Sequence, residues 1–149
     1  MALIESIEAS LVRVPLAATD KEGAIRELVG MLSEAGRVSD REAVLRAVLA
    51  RETLGSTGLA DGIAVPHGKT DAVPDLAIAV GVAPAGIDFG ALDGQPSRLF
   101  FLIVAPPDKS GPHIQALSEI ARLSRSKALC RAIVNAREPA DVVGLLRGD

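Results

Sequence analysis

The most informative stretch for the fold is an apolar run that reads Leu99-Phe100-Phe101-Leu102-Ile103-Val104. A second stretch, Leu76 to Val82, is apolar at nearly every position. A strand with one face in water alternates apolar and polar side chains, whereas a strand covered on both faces is continuously apolar. The two runs therefore predict strands of a central sheet that helices cover on both faces.

The segments on either side of these runs are predicted to be mainly helical. Short strands are expected at residues 11–16 and 63–65. Capping-box patterns and helix-start residues precede each helical stripe of apolar side chains. The five predicted helices begin near Thr19, Ser39, Ser110, Ser126 and Pro139. We therefore predict a single domain, residues 1–149, of the α/β class, in which a mixed central β-sheet is flanked by helices on both faces.

Composition excludes several classes of function. The chain has 149 residues, 16 Lys and Arg against 19 Asp and Glu, and three phenylalanines as its only aromatic side chains apart from histidine. It lacks both the basic surface and the stacking residues of a nucleic-acid binder. The single cysteine suits a reducing compartment. Glu5 and Glu8 do not fit a signal peptide, and no apolar run approaches the ~20 residues of a membrane span. We predict a soluble, cytoplasmic protein.

The candidate reactive residues are the only two histidines. His67 follows a predicted strand and lies between Pro66, which restricts the backbone, and Gly68, which lets another molecule approach closely. His113 lies in the first turn of a predicted helix. Taken alone, each histidine is most simply a structural or surface residue. No Cys/His cluster has the spacing of a metal site and no Walker-type loop is present, so neither a metal nor a cofactor is expected.

The context of His67 resembles a known family. Two segments carry the resemblance, Arg51-Glu52-Thr53-Leu54-Gly55-Ser56-Thr57-Gly58 and Gly62-Ile63-Ala64-Val65-Pro66-His67-Gly68. They resemble the active-site segment of enzyme IIA domains of the bacterial phosphoenolpyruvate-dependent phosphotransferase system, in the fructose/mannitol branch that includes the nitrogen-regulatory proteins. The similarity continues at residues 87–89, 92–96, 99–106 and 113–117.

The resemblance implies a phosphocarrier and a role for each matching residue. His67 is the implied phosphoryl acceptor, His113 assists it, and Arg51 stabilises the transferred charge. Implied partners are the histidine phosphocarrier protein as donor and a IIB domain of a sugar permease as acceptor, or regulatory proteins. Independently, a neutral imidazole can form a covalent intermediate, a guanidinium can clamp phosphoryl oxygens at two points, and Ser56 and Thr57 can add hydroxyl donors.

Other roles stay open for several of these residues. Arg51 could merely complement the dipole of a helix end, and His113 could be a half-buried helix residue. Lys69 is expected to be a solvated charge at the rim of the site, and Cys130 a small core residue. Three functions compete: a component that feeds a sugar permease, a nitrogen-type regulatory protein, and a metal-binding or purely structural α/β domain.

A docking face is expected around His67, because its proposed donor and acceptor are folded proteins. Transient interfaces have an apolar centre and a polar rim. Ile63, Val65 and the region of Phe89 are the candidates for the apolar part, and the alternative is that they belong to the core.

Overall fold

The computed structural model describes residues 3–148, so Met1, Ala2 and Asp149, the ends of the predicted domain, lie outside the described residues. The strands are β1 (Val12–Arg13), β2 (Ile63–Ala64), β3 (His67–Lys69), β4 (Ala77–Ile87) and β5 (Ser97–Ala105). The α-helices are α1 (Lys21–Glu34), α2 (Arg41–Leu54), α3 (Ser110–Leu123), α4 (Lys127–Val134) and α5 (Pro139–Arg147). Two short 3₁₀ helices, Ile4–Ser6 and Ala9–Leu11, precede β1.

The five strands form one mixed sheet in the order β1-β4-β5-β2, with β3 also paired to β5. β4 and β5 are antiparallel, whereas β1, β2 and β3 run parallel to their neighbours. Every residue of β5 from Leu99 to Ala105 is buried. Because successive side chains of a strand point to opposite faces, both faces of β5 are covered. The predicted α/β class and mixed central sheet are confirmed.

The segment that carries His67 pairs with β5 in two pieces. Ile63 lies opposite Leu99 in β2, and His67 lies opposite Ile103 in β3. Pro66, between them, has no N–H to donate to the ladder, which accounts for the interruption. The predicted strand over residues 63–65 ends before His67, as β2 does, but the sequence did not predict β3, the strand that begins at His67.

The first two helices begin one residue later than predicted. Asp20 accepts a hydrogen bond from the Gly23 N–H, and Asp40 accepts one from the Ala43 N–H. The N-cap is thus the aspartate that follows Thr19 in one case and Ser39 in the other. Both side chains meet the requirement for a cap, and the carboxylate also interacts favourably with the positive end of the helix dipole.

The predicted starts of the three later helices agree with the structure. Ser126 caps α4 by accepting from the Leu129 N–H, and Pro139 is the first residue of α5. Cys130 is buried, as predicted for a small core residue. Among residues 3–148, no helix combines the length and apolar character that a membrane crossing requires.

Candidate functional site

The structure brings the two histidines together. His67 begins β3 and His113 lies near the start of α3, so 46 positions of sequence separate them. Their ring centroids are 5.4 Å apart and the ring planes are nearly perpendicular, at 82°. The parallel pairing of β3 with β5, followed by the turn into α3, creates this proximity.

A backbone hydrogen bond fixes the ring of His67. Its Nδ1 lies 2.9 Å from the carbonyl oxygen of Val65. Because a carbonyl only accepts, Nδ1 carries the proton and donates it. In the neutral ring, Nε2 then holds an unprotonated lone pair. His67 is only partly buried, which leaves the ring accessible to another molecule.

His113 is held deeper in the protein. The residue is 4% exposed, and its Nδ1 has no hydrogen-bond partner among the described residues. Burial lowers the pKa of His113 below its ordinary value, and the nearby charges of His67 and Lys69 lower it further. A neutral imidazole beside His67 is the consequence.

Arg51 reaches the site from the last turn of α2. Its Nη1 donates to the Gly55 carbonyl at 2.9 Å, and its side chain lines the same cavities as His67. Gly68 allows α2, the helix that carries Arg51, to pack closely against β3, because a Cβ at this position would lie 3.1 Å from the backbone of Ala47 and Val48. The close contact at Gly68 in this structure is with the protein's own helix α2.

Two adjoining surface cavities surround His67. One, of about 350 Å³, is shared by Arg51, His67, Lys69 and His113. The other, of about 170 Å³, is lined by Arg51 and His67 and also by Ser56 and Thr57. Lys69 is exposed at the rim, and its Nζ donates to the Ser110 hydroxyl at 3.1 Å. Cationic and neutral donor groups therefore converge on one accessible imidazole.

A buried network behind the loop of residues 55–58 escaped the sequence analysis. The Glu52 carboxylate accepts hydrogen bonds from the Thr57 hydroxyl and the Thr57 N–H, and it pairs with Lys21 at 2.8 Å. Its side chain is 4% exposed. The only hint was its place beside Arg51 in the matching segment.

The hydroxyls of Ser56 and Thr57 both donate to protein acceptors. Thr57 donates to Glu52, and Ser56 donates to the Phe89 carbonyl. Ser56 also accepts from the Gly58 N–H. Both residues line the smaller cavity, but they shape the loop in this arrangement, and direct donation to a phosphoryl group stays a prediction.

The apolar surface near the site differs from the prediction. Ile63, Val65 and Phe89 are between 0% and 4% exposed and belong to the core. Among residues 3–148, the large exposed apolar side chains are instead Leu54 (84%), Leu92 (80%) and Ile114 (65%). Ile114 lines the larger cavity, Leu54 is the last residue of the helix that carries Arg51, and the Leu92 N–H donates to the Gly58 carbonyl in the loop that follows that helix.

The chain is similar to a family of known proteins. A family described as "Phosphoenolpyruvate-dependent sugar phosphotransferase system, EIIA 2" matches residues 5–148. The chain is 34% identical to the PTS system fructose-specific EIIABC component of Bacillus subtilis over 98% of the chain and 23% of that protein. It is 45% identical to the PTS system fructose-specific EIIA component of Haloferax volcanii over 68% of the chain and 66% of that protein. The matched part is thus less than two thirds of either relative.

A nitrogen regulatory protein and two solved structures are also similar to this chain. The nitrogen regulatory protein of Bradyrhizobium diazoefficiens is 33% identical over 88% of this chain and 85% of its own length. The crystal structure of nitrogen regulatory protein IIA-Ntr from Neisseria meningitidis superposes with a TM-score of 0.89, at 28% identity over 97% of this chain and 99% of that one. One chain of the complex of enzyme IIAMTL and phosphorylated enzyme IIBMTL from Escherichia coli superposes with a TM-score of 0.83, at 27% identity over 97% of this chain and 99% of that one.

Proposed function

Because the chain belongs to the enzyme IIA family of the phosphoenolpyruvate-dependent sugar phosphotransferase system, we propose that it is a phosphocarrier with His67 as its acceptor. In this proposal His67 takes a phosphoryl group from a histidine phosphocarrier protein and passes it to a IIB domain of a sugar permease. The observation that supports it best is the accessible His67 ring, held through Nδ1 and placed in one cavity with Arg51 and His113.

The transfer chemistry follows from the free nitrogen. Nε2 of His67 attacks the phosphorus of the donor's phosphohistidine, so that a new N–P bond forms while the donor's N–P bond breaks. The donor nitrogen leaves with the electron pair. In the second step a nucleophile of the IIB domain, generally a cysteine thiolate in this branch, attacks the same phosphorus and restores His67. Such transfers depend mainly on position and charge stabilisation, which Arg51 can supply.

His113 is proposed to assist His67 without carrying the phosphoryl group. A neutral imidazole adds no positive charge at the start of α3, where the helix dipole already favours an incoming anion. We expect His113→Ala to be labelled still on His67 but to exchange phosphoryl groups at least about tenfold more slowly, as for the loss of one donor. Rapid-quench transfer from the donor and to the acceptor measures this. Unchanged rates in both directions would leave His113 structural, and label on His113 would reverse the roles.

The exposed apolar residues are proposed as the centre of the partner docking face. Ile114→Gln and Leu54→Gln keep helix propensity and charge but remove apolar contact area. We expect either variant to raise KM for the phosphorylated donor about fivefold, for a contact worth about 1 kcal/mol, with kcat nearly unchanged. Ala140→Gln, an exposed position on α5, is the matched control. Equal KM values in all three variants would place the docking face elsewhere.

A regulatory role is the second candidate, because a nitrogen regulatory protein of similar length matches most of the chain. In that case the phosphorylation state of His67 controls partner proteins and no sugar is carried. Incubating the phosphorylated chain with the IIB domain of each candidate permease distinguishes the two. Loss of the label to a IIB domain supports transport, whereas label that stays on the chain with every IIB domain supports regulation.

The proposal also covers the domain organisation and the location of the protein. We propose that residues 1–149 form one phosphocarrier domain, which the single continuous sheet and the family match over residues 5–148 support. We also propose that it acts in the cytoplasm, where its proposed donor works. A phosphorylation assay on cytoplasmic extract and on washed membranes tests the location.

A further inference from the structure

A third cavity, of about 350 Å³, opens at the edge of the sheet between β2, the start of β5, and α4. It shares no lining residue with the two cavities at His67. Its floor is apolar: Cys130 is 8% exposed and Val134 is half-buried, whereas Ile63 and Leu99, which also line it, are only 0% and 1% exposed. The volume falls within the ~300–1,000 Å³ of small-molecule sites.

Positive charge surrounds this floor. Arg98, Lys127 and Arg131 line the cavity, against one carboxylate, that of Asp61. Within residues 3–148, none of the three cations lies within 4.0 Å of a carboxylate oxygen. The chain as a whole has a net charge of −3, so the cavity is a cationic site on an acidic protein.

Lys127 and Arg131 lie one turn apart on the face of α4 that lines the cavity. Lys127, Cys130, Arg131 and Val134 follow the spacing i, i+3, i+4 and i+7, so one face of α4 lines the cavity. Lys127 lies in the first turn, where the helix dipole disfavours a cation, and it repels Arg131 one turn later. A bound anion would offset both effects.

We infer that this cavity binds a small organic anion. Its apolar body would lie against Cys130 and Val134, and its carboxylate, phosphate or sulfonate group would lie between Lys127 and Arg131. This site is additional to the proposed phosphocarrier function, because no residue of it takes part in the transfer at His67.

A matched pair of fluorescent probes tests the inference on the full chain. 8-Anilinonaphthalene-1-sulfonate combines an apolar body with an anionic group, and N-phenyl-1-naphthylamine is the same body without the sulfonate. We expect the anionic probe to bind at one site and the neutral probe to bind at least about tenfold more weakly, as for the loss of one charge-assisted contact. Equal affinities, or no saturable binding of the anionic probe, would overturn the proposal.

Substitutions separate binding from folding. Lys127→Glu places an acid in the first turn and four residues before Arg131, so we expect a higher unfolding temperature together with about tenfold weaker binding of the anionic probe. Arg131→Gln, which creates no new ion pair, should weaken binding as well. Arg125→Glu makes the same charge change at an exposed residue that does not line the cavity, and it should retain wild-type affinity. Wild-type affinity in both cavity variants would contradict the inference.

The single cysteine reports the location of the probe. Cys130 is the only thiol in the chain and lines the cavity. Bound anionic probe should therefore slow its modification by iodoacetamide. A modification rate that does not change at saturating probe would show that the probe binds elsewhere and would overturn the assignment.

Discussion

His67→Ala is expected to reduce phosphorylation of the chain to background. The substitution removes the one imidazole that is both accessible and oriented, with Nδ1 bonded to Val65 and Nε2 free. His113 is not expected to replace it, because that residue is only 4% exposed. The assay follows label from phosphoenolpyruvate through the general phosphotransferase protein and the histidine phosphocarrier protein to the chain.

The control for this experiment is the fold of the variant. His67 is partly buried at the start of a short strand, so far-UV circular dichroism and thermal unfolding should remain close to wild type. His113→Ala, tested beside it, should still take label. Full labelling of His67→Ala, or acid-stable label on a residue such as Ser56, would contradict the assignment of His67.

Arg51→Lys is expected to slow transfer nearly as much as Arg51→Ala. One arm of the guanidinium is held by the Gly55 carbonyl, which leaves the other N–H groups for phosphoryl oxygens. Lysine keeps the charge but lacks the planar fork, so it cannot maintain both contacts. Loss of such a donor corresponds to about 10²–10³ in rate, or about 2.7–4 kcal/mol of transition-state stabilisation. Single-turnover transfer at saturating donor measures the effect.

A role for Arg51 as a helix-end charge predicts something different. A cation in the last turn of α2 stabilises the helix by about 0.3–1 kcal/mol, which changes the unfolding temperature and leaves the transfer rate unaltered. Arg46→Lys and Arg46→Ala, at an exposed position of the same helix outside both cavities, are the matched controls. If both Arg51 variants remain folded and transfer at wild-type speed, Arg51 is only a helix-end charge.

The central sheet could be predicted because burial on two faces leaves a local pattern. The apolar run of β5 needs no partner to be recognised, and the stripes of the later helices repeat at helical spacing. The sequence did not determine which residue caps each of the first two helices. In Thr19-Asp20 and Ser39-Asp40, two adjacent side chains can each cap a helix, and only the position of the aspartates relative to Gly23 and Ala43 shows which one does.

The site depends on contacts between distant parts of the chain. Nothing local to His67 or His113 indicates that their rings lie 5.4 Å apart, because strand pairing and a helix turn create that distance. The burial of Glu52 depends likewise on Lys21, which comes from another helix. The sequence left open whether Ile63 and Phe89 belong to a docking face or to the core, because both use the same residue types and only exposure separates them.

Nuclear magnetic resonance of the phosphorylated, ¹⁵N-labelled chain observes the new N–P bond directly. Coupling between phosphorus and a ring nitrogen identifies both the histidine and the atom that carries the group. The hydrogen bond from Nδ1 to Val65 predicts a phosphoryl group on Nε2 of His67, with His113 unmodified. A phosphoryl group on Nδ1 of His67, or on either nitrogen of His113, would contradict the proposed mechanism.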